Sequence, residues 1–469
     1  MDIADKIAFR AKLEPEMPAI IAGNSVVTFG MLEGAVRGAA ERLAAFGLQP
    51  GSIVGVSIKA PARHLVVSLA LMRMGLCSAP FANEAGIALL PDLAMAVADQ
   101  PFAMRDGRLC VVAGDDWFTP SSTPIVGQRL ASDAAVRIVM SSGTTGRPKP
   151  LRQSRAAIDT QTEGAMPQLT AAGAWSRGMM MMDLNAWWSF CLVLWALSNG
   201  RTMCFAANPA ETLRVMSLYG CEYLMGAVFH IRTLVDTQRQ HFVPLPSLSG
   251  MTVGGSVITP ALLADMQGLL TRRVVLVYGS TEIGAGAIEV AGVSAPMDGA
   301  AGFVQPDIEL QVIDEDGTPM QLGTTGRIRI RSEAPATQVD GSPLNPDGWF
   351  YPGDVGSVDA SGRLFISGRM TELINVGGGK VAPDRVEEVL LAHPGVGDAG
   401  VVGVADPRGG DMIIAAVVAK GALDIEELAR FAAERFRTAP IARIVQIERI
   451  PRGPTGKVVR PMLAQLVGS

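Results

Sequence analysis

The sequence predicts an α/β protein with a large N-terminal part, built of βα units and carrying a small β-rich subdomain, and a small α+β domain at its C-terminal end. Three observations carry this. Helical and strand patterns alternate from about residue 28 to residue 277, the mark of a parallel sheet covered by helices. From Ala301 to Ile366 the pattern changes to short strands and turns (IELQVID, GRIRIRS, GRLFISG). After Gly368-Arg369 a third region reads helix, strands, helix and a final basic loop.

Thr28 to Gly47 places apolar residues at helical spacing, with Thr28 as N-cap and Gly47 as stop. Pro50-Gly51 turns the chain into a short strand, Ile53 to Ile58, and Ala62 to Met74 is the next helix. Asn83 to Asp133 is weakly patterned. Ala135 to Met140 (AVRIVM) reads as a buried strand feeding a Ser/Thr/Gly loop. The αβ pattern resumes from Leu213 to Val277. In the last region, Asp384–Leu391 and Ile425–Arg437 read as helices, and Gly400–Val404 and Ile413–Val418 as strands.

The chain has 469 residues, of which 48% are hydrophobic and only 18% charged, so it can bury a large core and is no disordered polymer. Two or three domains are expected at this length. A formal net charge of −5 argues against a nucleic-acid binder relying on a broad basic surface. Cys77, Cys110, Cys191, Cys204 and Cys221 form no CxxC pair, and with four histidines no zinc set emerges. Scattered free thiols suit a reducing compartment. Met1 to Arg10 lacks an apolar signal core. The most apolar stretch, Met179 to Ser198, is broken by Asp183 and Asn185 and reads as a buried strand plus helix, with no membrane span. A soluble, cytoplasmic protein is expected.

The segment Ser141-Ser142-Gly143-Thr144-Thr145-Gly146-Arg147-Pro148-Lys149 follows the buried strand. Glycines let backbone N–H groups turn inward, hydroxyls add donors, and Lys149 supplies charge, a combination suited to a polyphosphate. It is not a Walker A loop, since Lys149 stands between Pro148 and Pro150 and cannot open a helix in that way.

This string closely resembles the signature of the adenylate-forming superfamily: acyl-CoA synthetases, adenylation domains of peptide synthetases and firefly-type luciferases. Further segments resemble that family in the right order. They are Val27-Thr28-Phe29, the adenine-side loop Gly254-Gly255-Ser256, the core motif Tyr278-Gly279-Ser280-Thr281-Glu282, and the ribose motif Trp349 to Asp354. Gly368-Arg369, Asn375 to Pro383 and Pro451 to Lys457 follow. The resemblance covers nearly the whole chain.

The resemblance implies ATP-dependent activation of a carboxylic acid to acyl-AMP with release of pyrophosphate, then transfer to a pantetheine thiol. It implies ATP and Mg²⁺, with CoA as co-substrate. Residues 1–369 would form the N-terminal adenylate-forming domain, and 370–469 a mobile C-terminal domain carrying the adenylation lysine. Glu282, with Thr144, would hold Mg²⁺, a hard cation that prefers oxygen. Thr144 and Thr145 would bind the β- and γ-phosphates and Thr281 the α-phosphate. Asp354 would accept from both ribose hydroxyls, and Arg369 would contact ribose or phosphate. Lys457 would bridge the carboxylate and the α-phosphate during adenylation. Gly378, in Gly377-Gly378-Gly379-Lys380, resembles the strip lining the pantetheine tunnel, where a small residue lets the thiol arm pass.

Several positions depart from the family pattern. The hinge residue, usually Asp or Lys, is Thr371. Asn185 stands where a His is common, keeping hydrogen bonding without proton chemistry. Trp187 stands where relatives that activate α-amino acids carry an Asp, which disfavours that substrate class. Gly279 replaces the Trp of acetate-activating relatives and suggests a deeper pocket. Trp187 and Trp188 fit core packing and pocket lining equally well. Two other readings stay open: a free-standing adenylation enzyme that loads a carrier protein, and a non-catalytic nucleotide or acyl-adenylate binder on the same scaffold.

Overall fold

The structure is a computed structural model of the 469-residue chain and describes residues 2–90, 92–104, 107–125, 130–141, 149–165, 174–256, 258–291, 299–370, 372–376, 379–406, 410–452 and 457–467. Its architecture is α/β. A six-stranded sheet has the order Cys110–Val112, Met95–Ala98, Ile53–Ser57, Cys77–Pro80, Ala135–Ser141, Lys149–Ser154. The first five strands are parallel to their neighbours, and the last turns back antiparallel on Ala135–Ser141, opposing Ser141 to Lys149. The phosphate-loop string therefore leaves one strand and returns on the adjacent one.

The second sheet has thirteen strands among the described residues. Its parallel centre contains Arg177–Met180, Tyr223–Ala227, Gly250–Gly254 and Val274–Ser280. The β-rich region is not a separate sheet. Val274–Ser280 pairs antiparallel with Gly284–Ala291, and the ladder runs on through Ala300–Val304, Arg363–Arg369, Asp354–Val358 and Gly326–Ser332. A hairpin after a parallel strand simply reverses chain direction, so the change of pattern in sequence marks a change of connection within one sheet.

Local chemistry explains the elements. Thr28 caps the helix Phe29–Ala44 by accepting from Met31 N–H at 3.2 Å. The helix Trp187–Ser198 is buried nearly all round, which accounts for its uniform apolar run. With Arg177–Met180 it forms the strand and helix read from Met179 to Ser198. Among the described residues no helix is long and apolar enough to cross a membrane. The weakly patterned stretch 83–133 holds the short strands Met95–Ala98 and Cys110–Val112. The first is buried on both faces, so no alternation announces it.

Residues 372–467 build cores of their own. The helices Pro383–Leu391 and Ile425–Arg435 cover one face of Val396–Ala405, Asp411–Ala419 and Ile441–Gln446. The other face is covered by Arg460–Val467, a helix where the sequence suggests only a basic loop. Its two buried anchors, Leu463 and Val467, are four residues apart, too short a run to show periodicity.

Candidate active site

The sequence motifs converge where the two sheets meet. Ser141 is buried at the end of its strand and Lys149 is exposed at the start of the return strand. Residues 142–148, hence Ser142, Gly143, Thr144, Thr145 and Gly146, lie outside the described residues, as do Thr371, Gly377 and Gly378.

The return strand reaches the core motif directly. Gln153, which is buried, donates from Nε2 to the Thr281 carbonyl at 2.7 Å. The Glu282 carbonyl accepts from Ala336 N–H at 2.8 Å. Gln161 packs so closely on Gly284, which has a φ of +77°, that any side chain there would collide with its amide. The Thr281–Glu282 turn is thus held from three sides by backbone bonds and packing, and among the described residues neither of its side chains makes a hydrogen bond or ion pair.

Gly279 sits at an irregularity in the ladder between Tyr278 and Gly279. A Cβ added there would collide with the Gly284 carbonyl oxygen. The backbone alone therefore accounts for glycine at 279. Replacing Gly279 by Ala should destabilise the fold by about 1–3 kcal/mol through overpacking, read as a lowered thermal midpoint. On the neighbouring strand Gly254 is buried and Gly255 is left-handed at φ +89°. Trp188 lies over Gly254, with its ring 3.5 Å from where a Cβ would stand. Trp187, at 4% exposure, belongs to the core. Trp188 is half-buried and packs against the same core while its ring reaches Gly254.

The ribose motif and Gly368-Arg369 meet by register. Asp354 opens one strand, Arg369 closes the next, and the two are direct partners in the antiparallel ladder. Arg369 Nε donates to Asp354 Oδ1 at 3.1 Å, and Tyr278 Oη donates to Oδ2 at 2.7 Å. Burial raises the Asp354 pKa above the usual carboxylate range, against the pull of Arg369. Burial, then the Asp354 charge, lifts Tyr278 well above its ordinary value, so its hydroxyl stays a donor.

Lys457 is partly buried within electrostatic reach of Arg369 and Asp354. Burial draws its pKa below the ordinary lysine value, and Arg369 adds to the fall. One helical turn on, Arg460 binds Glu372 (2.7 Å), Glu387 (2.6 Å), Asp384 (2.5 Å) and the Val401 carbonyl (2.7 Å). It ties the lysine loop to the residues that follow Arg369. Neither Arg460 nor the two glutamines stands out in the sequence. The usable signal for Arg460 is its place three residues after Lys457.

Among the described residues no three His, Cys, Asp or Glu side chains cluster for a metal. Glu282 is half-buried, and its carboxylate has no ion pair among them. One such carboxylate fits Mg²⁺, which keeps most of its shell as water and ligand oxygens.

The pH dependence follows from the two shifts. If Asp354 must be charged to bind, its raised pKa means that function is lost, as pH falls, sooner than for an ordinary aspartate. If Lys457 must be charged, its lowered pKa means loss, as pH rises, below the ordinary lysine range. The kcat/KM profile for adenylation should be narrowed from both sides, since it reports the free enzyme. Lys457→Arg should move the alkaline limb outward.

Comparison with known proteins gives a consistent picture. A family profile described as "AMP-binding enzyme" matches residues 92–337, more than half of the chain. A second, "AMP-binding enzyme C-terminal domain", matches residues 385–457. A Mycobacterium tuberculosis CoA ligase for a methyl-dioxo-octahydro-indenyl propanoyl group is 28% identical, covering 96% of each chain. The fatty acid–[acyl-carrier-protein] ligase ScoC of Streptomyces coeruleorubidus is 25% identical over 97% of this chain and 94% of its own. Among solved structures, the O-succinylbenzoate coenzyme A synthetase of Bacillus subtilis, in complex with ATP and magnesium ion, superposes with a TM-score of 0.85. It covers 98% of each chain at 22% identity, a likeness of fold.

Proposed function

The chain belongs to the AMP-binding enzyme family, and from that membership we propose that it is an AMP-forming acid–thiol ligase that makes an acyl-adenylate and passes the acyl group to CoA. The observation that carries the reading is Asp354, held by Tyr278 and Arg369 with Lys457 alongside. A buried carboxylate next to two cations suits a ligand that offers hydroxyl donors and a neighbouring anion together.

Attack of a carboxylate on the α-phosphate brings anions together, so fixed positive charge must offset the charge that develops. Ser141 and Lys149 flank the loop that would cradle the β- and γ-phosphates. Thr281 would donate to the α-phosphate from a turn whose backbone Gln153 already fixes. Asp354 would take the ribose hydroxyls, and Gly254 to Ser256 would flank adenine. Lys457 would contact the acid carboxylate and the α-phosphate at once. Mg²⁺, when bound by Glu282, supplies Lewis acidity toward phosphate oxygens. The acid would lie beyond Gly254 against Trp188. Residues 370–469 would move as a domain to admit the thiol at the Gly378 strip.

Acid-dependent ATP–pyrophosphate exchange over a panel of carboxylic acids tests the first half-reaction. Thioester formation with CoA, run beside candidate carrier proteins, tests the second; the carrier-protein ligase among the relatives favours including that arm. Release of ADP and orthophosphate in place of AMP and pyrophosphate would refute the scheme.

A further inference from the structure

The strand Ala135–Ser141 carries one residue that its sequence pattern does not explain. Arg137 is wholly buried. None of its hydrogen bonds among the described residues goes to a carboxylate. Nη1 donates to Ser78 Oγ at 3.1 Å, and Nη2 donates to the Leu184 carbonyl at 2.6 Å and to His64 Nε2 at 3.3 Å. Its Nε has no partner among the described residues. The guanidinium lies 3.8 Å from the centre of the Phe190 ring, a cation–π contact.

These contacts fix the state of His64 as well. A guanidinium can only donate, so Nε2 must accept, and Nδ1 carries the hydrogen that goes to the Ile58 carbonyl at 3.2 Å. Burial, with Arg137 next, pushes His64 down to about 3, so it stays neutral; burial draws Arg137 down to about 10, which leaves it charged. A bonded path thus runs from Ile58 through His64 and Arg137 to Leu184.

Asp183, beside Leu184, supports the Arg137 charge only through space, with no hydrogen bond between them; burying a cation without a bonded counter-ion is expensive, and apolar side chains of like volume often serve stability as well or better. The contacts suggest what the charge provides. Leu184 lies in the turn that bears Asn185, and Phe190 is in the first turn of the helix that follows. The same helix turn aims Trp188 at Gly254. We propose that Arg137 is a positioning residue that ties the strand leading into the phosphate loop to the turn and helix carrying Asn185 and Trp188, and thereby sets the wall of the acid pocket. The acid-pocket part rests on the function proposed above. The strands on either side of residues 142–148 are held by their own backbone ladders, so nucleotide binding should not depend on this side chain.

The test compares wild type, Arg137→Met, and the double variant Arg137→Met/His64→Leu, which also removes the imidazole left facing the new apolar side chain. In the full-length protein, amide hydrogen exchange over residues 183–190 should be about tenfold faster or more in Arg137→Met, with 149–154 unchanged. The double variant should regain thermal stability while exchange at 183–190 stays fast. With 2-succinylbenzoate and octanoate as probe acids, KM for the acid should rise about tenfold while KM for ATP stays within about twofold. Unchanged exchange at 183–190, or exchange that recovers with stability in the double variant, would overturn the tie. An equal rise in both KM values would overturn the pocket role. Should wild type turn over neither acid, nor any other of a broad panel, the functional reading fails, and the exchange measurements still decide whether Arg137 holds the turn.

Discussion

Replacing Lys457 by Ala is expected to slow acyl-adenylate formation by about two to three orders of magnitude, the loss seen when one preorganised donor to a developing oxyanion is removed. Transfer of the acyl group from a supplied acyl-adenylate should stay within about twofold of wild type, because residues 370–469 would have moved to admit the thiol and taken Lys457 off the α-phosphate, leaving other groups to meet the charge on the departing AMP. The setting of Lys457 gives the argument its weight. Burial and Arg369 both disfavour its charge, while Asp354, Glu372 and Asp384 support it. Such a group is poised for an anion: a bound polyphosphate would add negative charge beside it and favour its charged form. The same reasoning predicts no loss of stability in Lys457→Ala, since the folded state gains little from a charge it holds at a cost. Single-turnover assays of the two half-reactions, with a thermal melt as control, decide it. Equal loss in both half-reactions would remove Lys457 from the adenylation step.

How much of this was legible in the sequence depends on how far apart the cooperating residues lie. The phosphate loop and the core motif are contiguous strings, because a polyphosphate is met by consecutive backbone groups. Asp354 and Arg369 are each visible in their motifs, but their pairing comes from the register of a hairpin. Gln153 is on the buried face of its strand with Leu151, an alternation that the sequence does contain. Its partner, the Thr281 carbonyl, is 128 residues away and leaves no trace in the string. Arg137 is hidden differently: AVRIVM reads as one buried strand, and only the fold shows that its single charge is buried too. Gly279 carries the opposite lesson. A missing side chain in a motif reads as a feature of the site, while the fold supplies a second reason: the direction its Cβ would take is filled by Gly284. The short strand Met95–Ala98 escapes because burial on both faces erases the period of two.

Asp354→Asn should raise KM for ATP by about ten- to a hundredfold, the range expected when hydrogen bonds to a charged acceptor are lost, with kcat changed far less. An ionised carboxylate offers about four lone-pair sites. Arg369 and Tyr278 occupy two of them, one on each oxygen, which leaves two for a pair of ribose hydroxyls. Asparagine keeps the shape but turns one oxygen into an NH₂ group. Whichever way the amide is placed, that group faces either the Arg369 or the Tyr278 donor, and the acceptor capacity left for ribose falls by half or more. The side chain of Arg369 is 30% exposed, so water can solvate its freed charge, and the stability loss should stay below the cost of breaking a fully buried pair. Tyr278→Phe separates the effects: it removes one donor and leaves the carboxylate intact, so KM for ATP should move only a few-fold. The acid limb of the kcat/KM profile should flatten in Asp354→Asn and persist in Tyr278→Phe, because only the first removes the titrating group. A KM for ATP that does not respond to Asp354→Asn would place the ribose elsewhere and leave the Asp354–Arg369 pair as a purely structural contact.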